Sequence, residues 1–342
     1  MVEGAHATPV KTDPADDSAF ADAHRQLRDL RALLDRVIVG QGELVTHLIT
    51  AVFAGGHVII EGLPGLGKTH LAKAIAAALG LHWARVQCTP DLLPADVTGA
   101  EIYLTASGGA SSFEFRPGPV FAQLVLVDEI NRATPRTQAA LLEAMQERQV
   151  THAGATHPLP SPFCVLATQN PIELEGTYPL PEAQLDRFMF KLLVPFPARE
   201  SLRQMLDVSL DAEPSDTLQP IASAADVLSI MSLARTVLIG ERCKEAAVDL
   251  VVATQPEAGG TSADARRHIR YGASPRALQA LIRAARVRAL MAGRSHVDVD
   301  DLDAVALPVL RHRVLLRLES ELDGLDADST LASIIEAWRR RL

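Results

Sequence analysis

The sequence is poor in aromatic residues, in cysteine and in net positive charge, and it has no long hydrophobic run. Phe, Tyr and Trp make up 4% of its 342 residues, so Leu, Val, Ala and Ile must fill the core. The three cysteines, Cys88, Cys164 and Cys243, lie far apart and fit no metal-binding spacing. Cys88 and Cys164 sit in strand-like apolar stretches, which points to buried thiols and not to an oxidising compartment. No stretch approaches the roughly 18 apolar residues that a membrane span needs. The opening residues, MVEGAHATPVKTDPADDSA, lack the apolar segment of a signal peptide, so a cytoplasmic protein is expected. The formal net charge of −9 argues against a dedicated nucleic-acid binder, whose affinity rests on many Lys and Arg contacts to phosphate.

What is present is the balance of an ordinary globular chain, 48% hydrophobic and 22% charged, with room for one large or two standard domains. Its most informative stretch is 57–69, HVIIEGLPGLGKT. This reads as a short apolar strand, a glycine-rich turn and the start of a helix. Gly62, Gly67, Lys68 and Thr69 satisfy G-x-x-x-x-G-K-[ST] without a mismatch. Glycines let the backbone curl so that successive N–H groups converge on a phosphate, and the helix adds the positive end of its dipole. Pro64, Gly65, Leu66 and His70 complete the expected nucleotide contacts. Lys68 is placed to reach the β- and γ-phosphates of ATP, and Thr69 to ligate Mg2+.

Further along, QLVLV (123–127) is a continuous apolar strand that ends in Asp128-Glu129. Carboxylates at the C-terminal end of a parallel strand sit where α/β sheets bind ligands. Asp128 is expected in the Mg2+ shell, and Glu129 polarises or deprotonates the attacking water. FCVLAT (163–168) is another buried strand, and Asn170 follows it as a neutral group able to orient water beside the γ-phosphate. The strand, turn, helix, strand order predicts a parallel sheet. Two hairpins are expected to interrupt it: 101–104 against 113–116 across a Gly/Ser turn, and QVTHAGATH at 149–157. VIVGQ (37–41) reads either as a loop over the core or, through Val39 and Gly40, as an apolar platform for a nucleotide base.

The spacing thus predicts a disordered tail over 1–20, an α/β core with a parallel sheet over 21–198, and an all-α domain over 199–342 with a polar loop at 256–272. Thr134-Pro135 and Ser274-Pro275 are N-cap and N1 pairs that start helices at 136 and 275.

With GLPGLGKT, LVLVDEINRA, TQNP, QLDRF and SPRA in that order, the chain resembles the AAA+ ATPases, and more narrowly the MoxR family, over about residues 25–340. The resemblance implies a P-loop NTPase core with a five-stranded parallel sheet in αβα layers, followed by an all-α lid. It implies a homo-oligomeric ring, a hexamer. The excursion at 99–118 becomes the helix-2 insert and 149–161 the hairpin before sensor 1, both facing a central pore. Asn170 becomes sensor 1, Arg187 the arginine finger acting on the neighbour's ATP, and Arg276 sensor 2, with Arg132 a further residue at the subunit boundary. The same resemblance favours the base-platform reading of VIVGQ. It implies a chaperone-like remodeler of protein complexes, in metal or cofactor insertion, with a partner bearing a von Willebrand A domain. The motor subunit of a metal chelatase, a nucleic-acid motor and a nucleotide-gated scaffold are the alternatives. QVTHAGATH carries no Lys or Arg, which disfavours nucleic acid, and Glu129 with Asn170 disfavours a scaffold that hydrolyses nothing.

Overall fold

Five strands, β1 (Val58–Glu61), β2 (Trp83–Gln87), β3 (Leu124–Asp128), β4 (Cys164–Gln169) and β5 (Phe190–Leu193), form one parallel sheet in the order β2-β3-β4-β1-β5. The computed structural model describes residues 14–105, 111–171, 176–207 and 218–342. β3 and β4 lie within one residue of the strands expected at 123–127 and 163–168. Side chains alternate between two cores, as the two-residue period of a strand requires. Ile59, Val125, Val127, Val165 and Ala167 pack on one face against Leu141, Leu142 and Met145 of the helix Pro135–Glu147. Val58, Ile60, Leu124, Leu126 and Leu166 pack on the other against Leu71 and Ile75 of the helix Lys68–Ala78. Both faces are covered, which is why these strands read as unbroken apolar runs.

The helix starts follow the expected caps. Thr134 accepts a hydrogen bond from the Thr137 amide, Ser274 accepts one from the Arg276 amide, and each is followed by Pro at the first helical position. Gly80 ends the helix after the glycine turn with φ +56, and a Cβ there would meet Ala222 O at 2.8 Å.

Both hairpins form, Gly99–Thr105 with Ser111–Pro117 and Gln149–His152 with Ala155–Pro158. The Gly/Ser turn expected between the first pair lies outside the described residues. The hairpins touch: Phe115 stacks on His157 with ring centroids 4.0 Å apart and planes 16° from parallel.

Two expectations need correction. The tail was expected to reach residue 20, but the helix Pro14–Val37 already occupies 14–20; residues 1–13 lie outside the described set. Its buried Leu27, Leu30 and Leu34 join the larger core, and His24 Nδ1 donates to Met291 O at 2.9 Å. The stretch at 256–272 is not a plain loop. It holds the helix Ala263–His268, capped by Ser262, and the strand Ile269–Tyr271, which pairs antiparallel with Leu315–Leu316. Its polar composition hides two anchors, Ala265 and Ile269, that are fully buried. Among its described residues the C-terminal part is helical apart from this ribbon, too short to leave a period in the sequence, and one isolated bridge between Leu238 and His296.

Among the helices of that part, Pro275–Met291 is central. Its buried face is built from Ala277, Ala280, Leu281, Ala284 and Ala285, and the alanines let neighbouring backbones approach closely. Arg313, with its side chain 2% exposed, ties this part to the chain before β5. Its guanidinium donates to Asp186 Oδ1 at 2.8 Å and to the carbonyls of Asp186, Phe188 and Met189. Breaking a buried pair of this kind by removing one partner costs about 3–5 kcal/mol.

Three histidines are locked neutral by burial. His57 accepts from the Val165 amide at Nδ1 (3.0 Å) and donates from Nε2 to Met145 O (3.2 Å); burial, and then Arg148, lowers its pKa to about 3. Burial is also the leading cause that lowers His47 to about 4 and His312 well below its ordinary value. In the unfolded chain each protonates near pH 6.5. Depressed values mean that stability is complete above that pH and is lost as pH falls towards the folded-state values. Each histidine contributes a slope of up to about 1.4 kcal/mol per pH unit below 6.5. The thermal midpoint should therefore be flat from about pH 8 to 7 and fall steeply below about 6, with a shallower fall in His57→Gln. A midpoint that stays level down to about pH 5 contradicts this account.

Candidate active site

The glycine turn between β1 and the helix Lys68–Ala78 lies over the C-terminal ends of β3 and β4. Gly62 N donates to Gln169 O at 3.3 Å, which fixes the start of the turn to β4. Gly65 (φ +79) and Gly67 (φ +77) adopt the left-handed backbone that curls it, a conformation that costs other residues dearly. Together they form a cavity of about 420 Å³. Pro64, Gly65, Gly67, Lys68, Thr69, His70, Asp128, Glu129 and Asn170 line it, along with two residues that no motif marks, Lys73 and Arg85.

Within the cavity the acidic pair is held from several sides. Asp128 Oδ1 accepts from Thr168 Oγ1 at 2.6 Å, and Oδ2 accepts from Arg85 Nη2 at 2.7 Å and from Thr69 Oγ1 at 3.5 Å. Glu129 has φ 57 and ψ 51, a left-handed conformation rare outside glycine, and its amide donates to Thr168 Oγ1 at 2.9 Å. Its Oε2 accepts from Gln87 Nε2 and from Arg132 Nη1, each at 3.2 Å. Lys68 Nζ donates to Gly62 O at 2.5 Å across the turn. Asn170 is 5% exposed, directly after β4.

The donor set suits Mg2+. Among the described residues no group of three or more His, Cys, Asp or Glu could hold a metal alone. Thr69 Oγ1 and Asp128 Oδ2 are hard oxygen ligands on one side of the cavity, which fits an ion that takes its other ligands from phosphates and water. The thiols play no part. Burial, and then the charges of Asp128 and Glu129, raises Cys88 to about 12, and burial raises Cys164 to about 12. All three cysteines are buried and unpaired with one another.

A second, apolar cavity of about 430 Å³ adjoins the first and shares Pro64, Gly65, Gly67 and His70 with it. Its walls are Val37, Ile38, Val39 and Leu66 on one side and Phe196, Pro197 and Leu202 on the other. The VIVGQ turn therefore does bound an apolar slot beside the phosphate cavity. Gly40 does not line it. A Cβ on Gly40 (φ +74) would collide with Ser201, so its place is to let the turn approach the helix Arg199–Asp207. Gly62 lines neither cavity and acts through its backbone.

Arg187 and Arg276 are brought together, but away from the phosphate cavity. They line a separate cavity of about 280 Å³, with no residue in common with the first. Arg148, Arg283 and Arg313 also line it, and Asp186 is the one carboxylate among its described lining residues. Asp186 is already engaged by Arg313 and by Ser274 Oγ, with Arg276 Nη1 at 3.6 Å. Arg187 Nε is buried without a hydrogen-bond partner.

The sheet order, the glycine cradle and the acidic pair define a P-loop NTPase of the AAA class. A family profile for the ATPase family associated with various cellular activities (AAA) matches residues 57–190, and one for the AAA lid domain matches 261–334. The chain is 41% identical to Chaperone MoxR1 of Mycobacterium tuberculosis over 88% of this chain and 78% of that one. It is 37% identical to Protein MoxR of Paracoccus denitrificans over 88% and 91%. A crystal structure of a candidate ATPase from Cytophaga hutchinsonii superposes with a TM-score of 0.86 at 39% identity, covering 94% and 97% of the two chains. The chain belongs to the MoxR family of AAA+ ATPases.

Proposed function

We propose that the protein hydrolyses ATP to ADP and phosphate in a homo-oligomeric ring, a hexamer, and uses the cycle to remodel protein complexes. The observation that carries this reading is the separation of the two polar cavities. One holds Lys68, Thr69, Asp128, Glu129 and Asn170; the other gathers guanidiniums around a single, already engaged carboxylate. A cation cluster of this kind seeks an anion, and a neighbouring copy's phosphates supply it. In this arrangement Arg187 and Arg276 both act on the next subunit's nucleotide. Residues 21–198 form the ATPase core and 199–342 the lid.

Each residue then has a task. The turn amides and Lys68 hold the β- and γ-phosphates. Thr69 and Asp128 hold Mg2+, which neutralises charge on the phosphates when bound. Glu129 takes the proton of a water that Asn170 orients. The apolar slot beside Val39 and Leu66 receives the base. Arg187 and Arg276 stabilise charge on the transferred phosphoryl group from across the boundary.

The client reading includes metal or cofactor insertion with a partner bearing a von Willebrand A domain. It is supported by the family membership and by the name of the relative called Chaperone MoxR1. In the described residues no helix is long and apolar enough to cross a membrane. Affinity capture with Glu129→Gln in the presence of ATP tests the function. Enrichment of a protein over an ADP-loaded control is expected, and a von Willebrand A partner identifies the class. Capture of a tetrapyrrole-handling protein turns the reading to a chelatase motor, and capture of nucleic acid alone defeats it.

A further inference from the structure

Arg85 and Gln87 stand two residues apart on β2, so their side chains share one face of the strand. The register sets Gln87 opposite Asp128. Arg85 Nη2 donates to Asp128 Oδ2 and to Gln87 Oε1, both at 2.7 Å, and Gln87 Nε2 donates to Glu129 Oε2 at 3.2 Å. One guanidinium is thereby linked to both members of the acidic pair. The detail that matters is which oxygen it holds. Asp128 Oδ1 is committed to Thr168, whereas Oδ2 is the oxygen turned to Thr69 Oγ1, the side on which Mg2+ fits. The carboxylate is fixed, with its side chain 12% exposed; the guanidinium, at 46%, has room to move.

We propose that Arg85 is a resident counter-cation of Asp128 and competes with the Mg2+ of a bound nucleotide for Oδ2. This rests on the reading of Thr69 and Asp128 as the metal's side of the cavity. Two cations on one carboxylate oxygen repel each other, so metal binding drives the guanidinium off Oδ2. The strand keeps its Cα in place, so the side chain alone moves. The move also alters the bond from Arg85 to Gln87, and Gln87 holds Glu129.

The test is a Mg2+ titration of nucleotide binding by the full-length protein, read with a fluorescent ADP analogue and without turnover. Arg85→Gln should reach half-maximal Mg2+-dependent binding at about one-fifth of the wild-type free Mg2+ concentration, the scale of a half-exposed ion pair. Arg85→Lys keeps the charge and should stay close to wild type. A midpoint unchanged or raised in Arg85→Gln, with the fold intact by circular dichroism, overturns the competition. So does loss of nucleotide binding in that variant, because Arg85 would then hold nucleotide instead of opposing its metal. Lys68→Ala separates the two levels. If it binds the analogue as wild type does, the nucleotide reading of the cavity falls and the proposal with it; if it loses binding while Arg85→Gln shows no shift, only the Arg85 inference fails.

Discussion

Replacing Glu129 by Gln should reduce ATP turnover by at least about 100-fold and leave ATP binding near the wild-type level, because a positioned general base contributes about 10²–10⁴ in rate. The exchange is nearly isosteric. The left-handed backbone at Glu129 and its amide bond to Thr168 do not depend on the carboxylate, so the cavity should keep its form. The amide cannot accept a proton from water, and that alone is removed. Lys68→Ala should behave differently: it deletes an ammonium that reaches across the glycine turn and should weaken binding itself. Phosphate release measured beside nucleotide affinity separates the two. Turnover within about tenfold of wild type in Glu129→Gln would remove Glu129 from the chemistry.

Arg187→Ala should be at least as severe, with turnover lower by about 10³ or more, the scale of an arginine that acts on the transferred phosphoryl group. Stability should hardly change. Arg187 Nε has no partner to lose, and the buried ion pair beside it belongs to Arg313 and Asp186. The sharper part of the expectation concerns mixtures. Arg187→Ala subunits keep an intact phosphate cavity, and Glu129→Gln subunits keep an intact arginine. When the two inactive proteins are combined, cavities of the first kind meet arginines of the second, and turnover should recover to a sizeable fraction of wild type. If the arginine served its own subunit's nucleotide, mixing would restore nothing, and that result would defeat the ring reading of the site.

The parts of this site that could be read from residues alone are those whose chemistry is local. A glycine turn needs its glycines at fixed offsets, and Lys68 and Thr69 follow within two residues. Asp128-Glu129 stand at the end of an apolar run, and Thr134-Pro135 announce the next helix. Arg85 was not legible for the opposite reason. It sits inside WARVQ, where nothing local marks it, and gains meaning only when β2 pairs with β3 and Gln87 comes level with Asp128. A usable signal exists in retrospect: polar side chains at alternate positions of a strand beside an acidic strand end. Gly40 shows a second kind of gap. Its neighbours read as a nucleotide contact, whereas the structure adds a packing demand, a left-handed backbone that lets the turn approach Ser201. The gathering of Arg187 with Arg276, nearly ninety positions apart, depends on how the helical part docks, which no short pattern encodes. The seven helical residues from Pro14 to Phe20 carry little apolar periodicity, and the Ile269–Tyr271 ribbon is shorter than any period.

The Arg313 contacts have a mechanical meaning. That side chain is fastened to Asp186, Phe188 and Met189, the residues on both sides of Arg187. The backbone at Arg187 cannot shift on its own: it must either rupture a buried ion pair or carry the helices behind Arg313 along. Displacement of that segment and tilt of the helical domain are therefore a single degree of freedom, a crank and its shaft. In the proposed ring, a phosphate gripped or released at one boundary would pull on that crank and tilt the helical domain of the subunit that grips it.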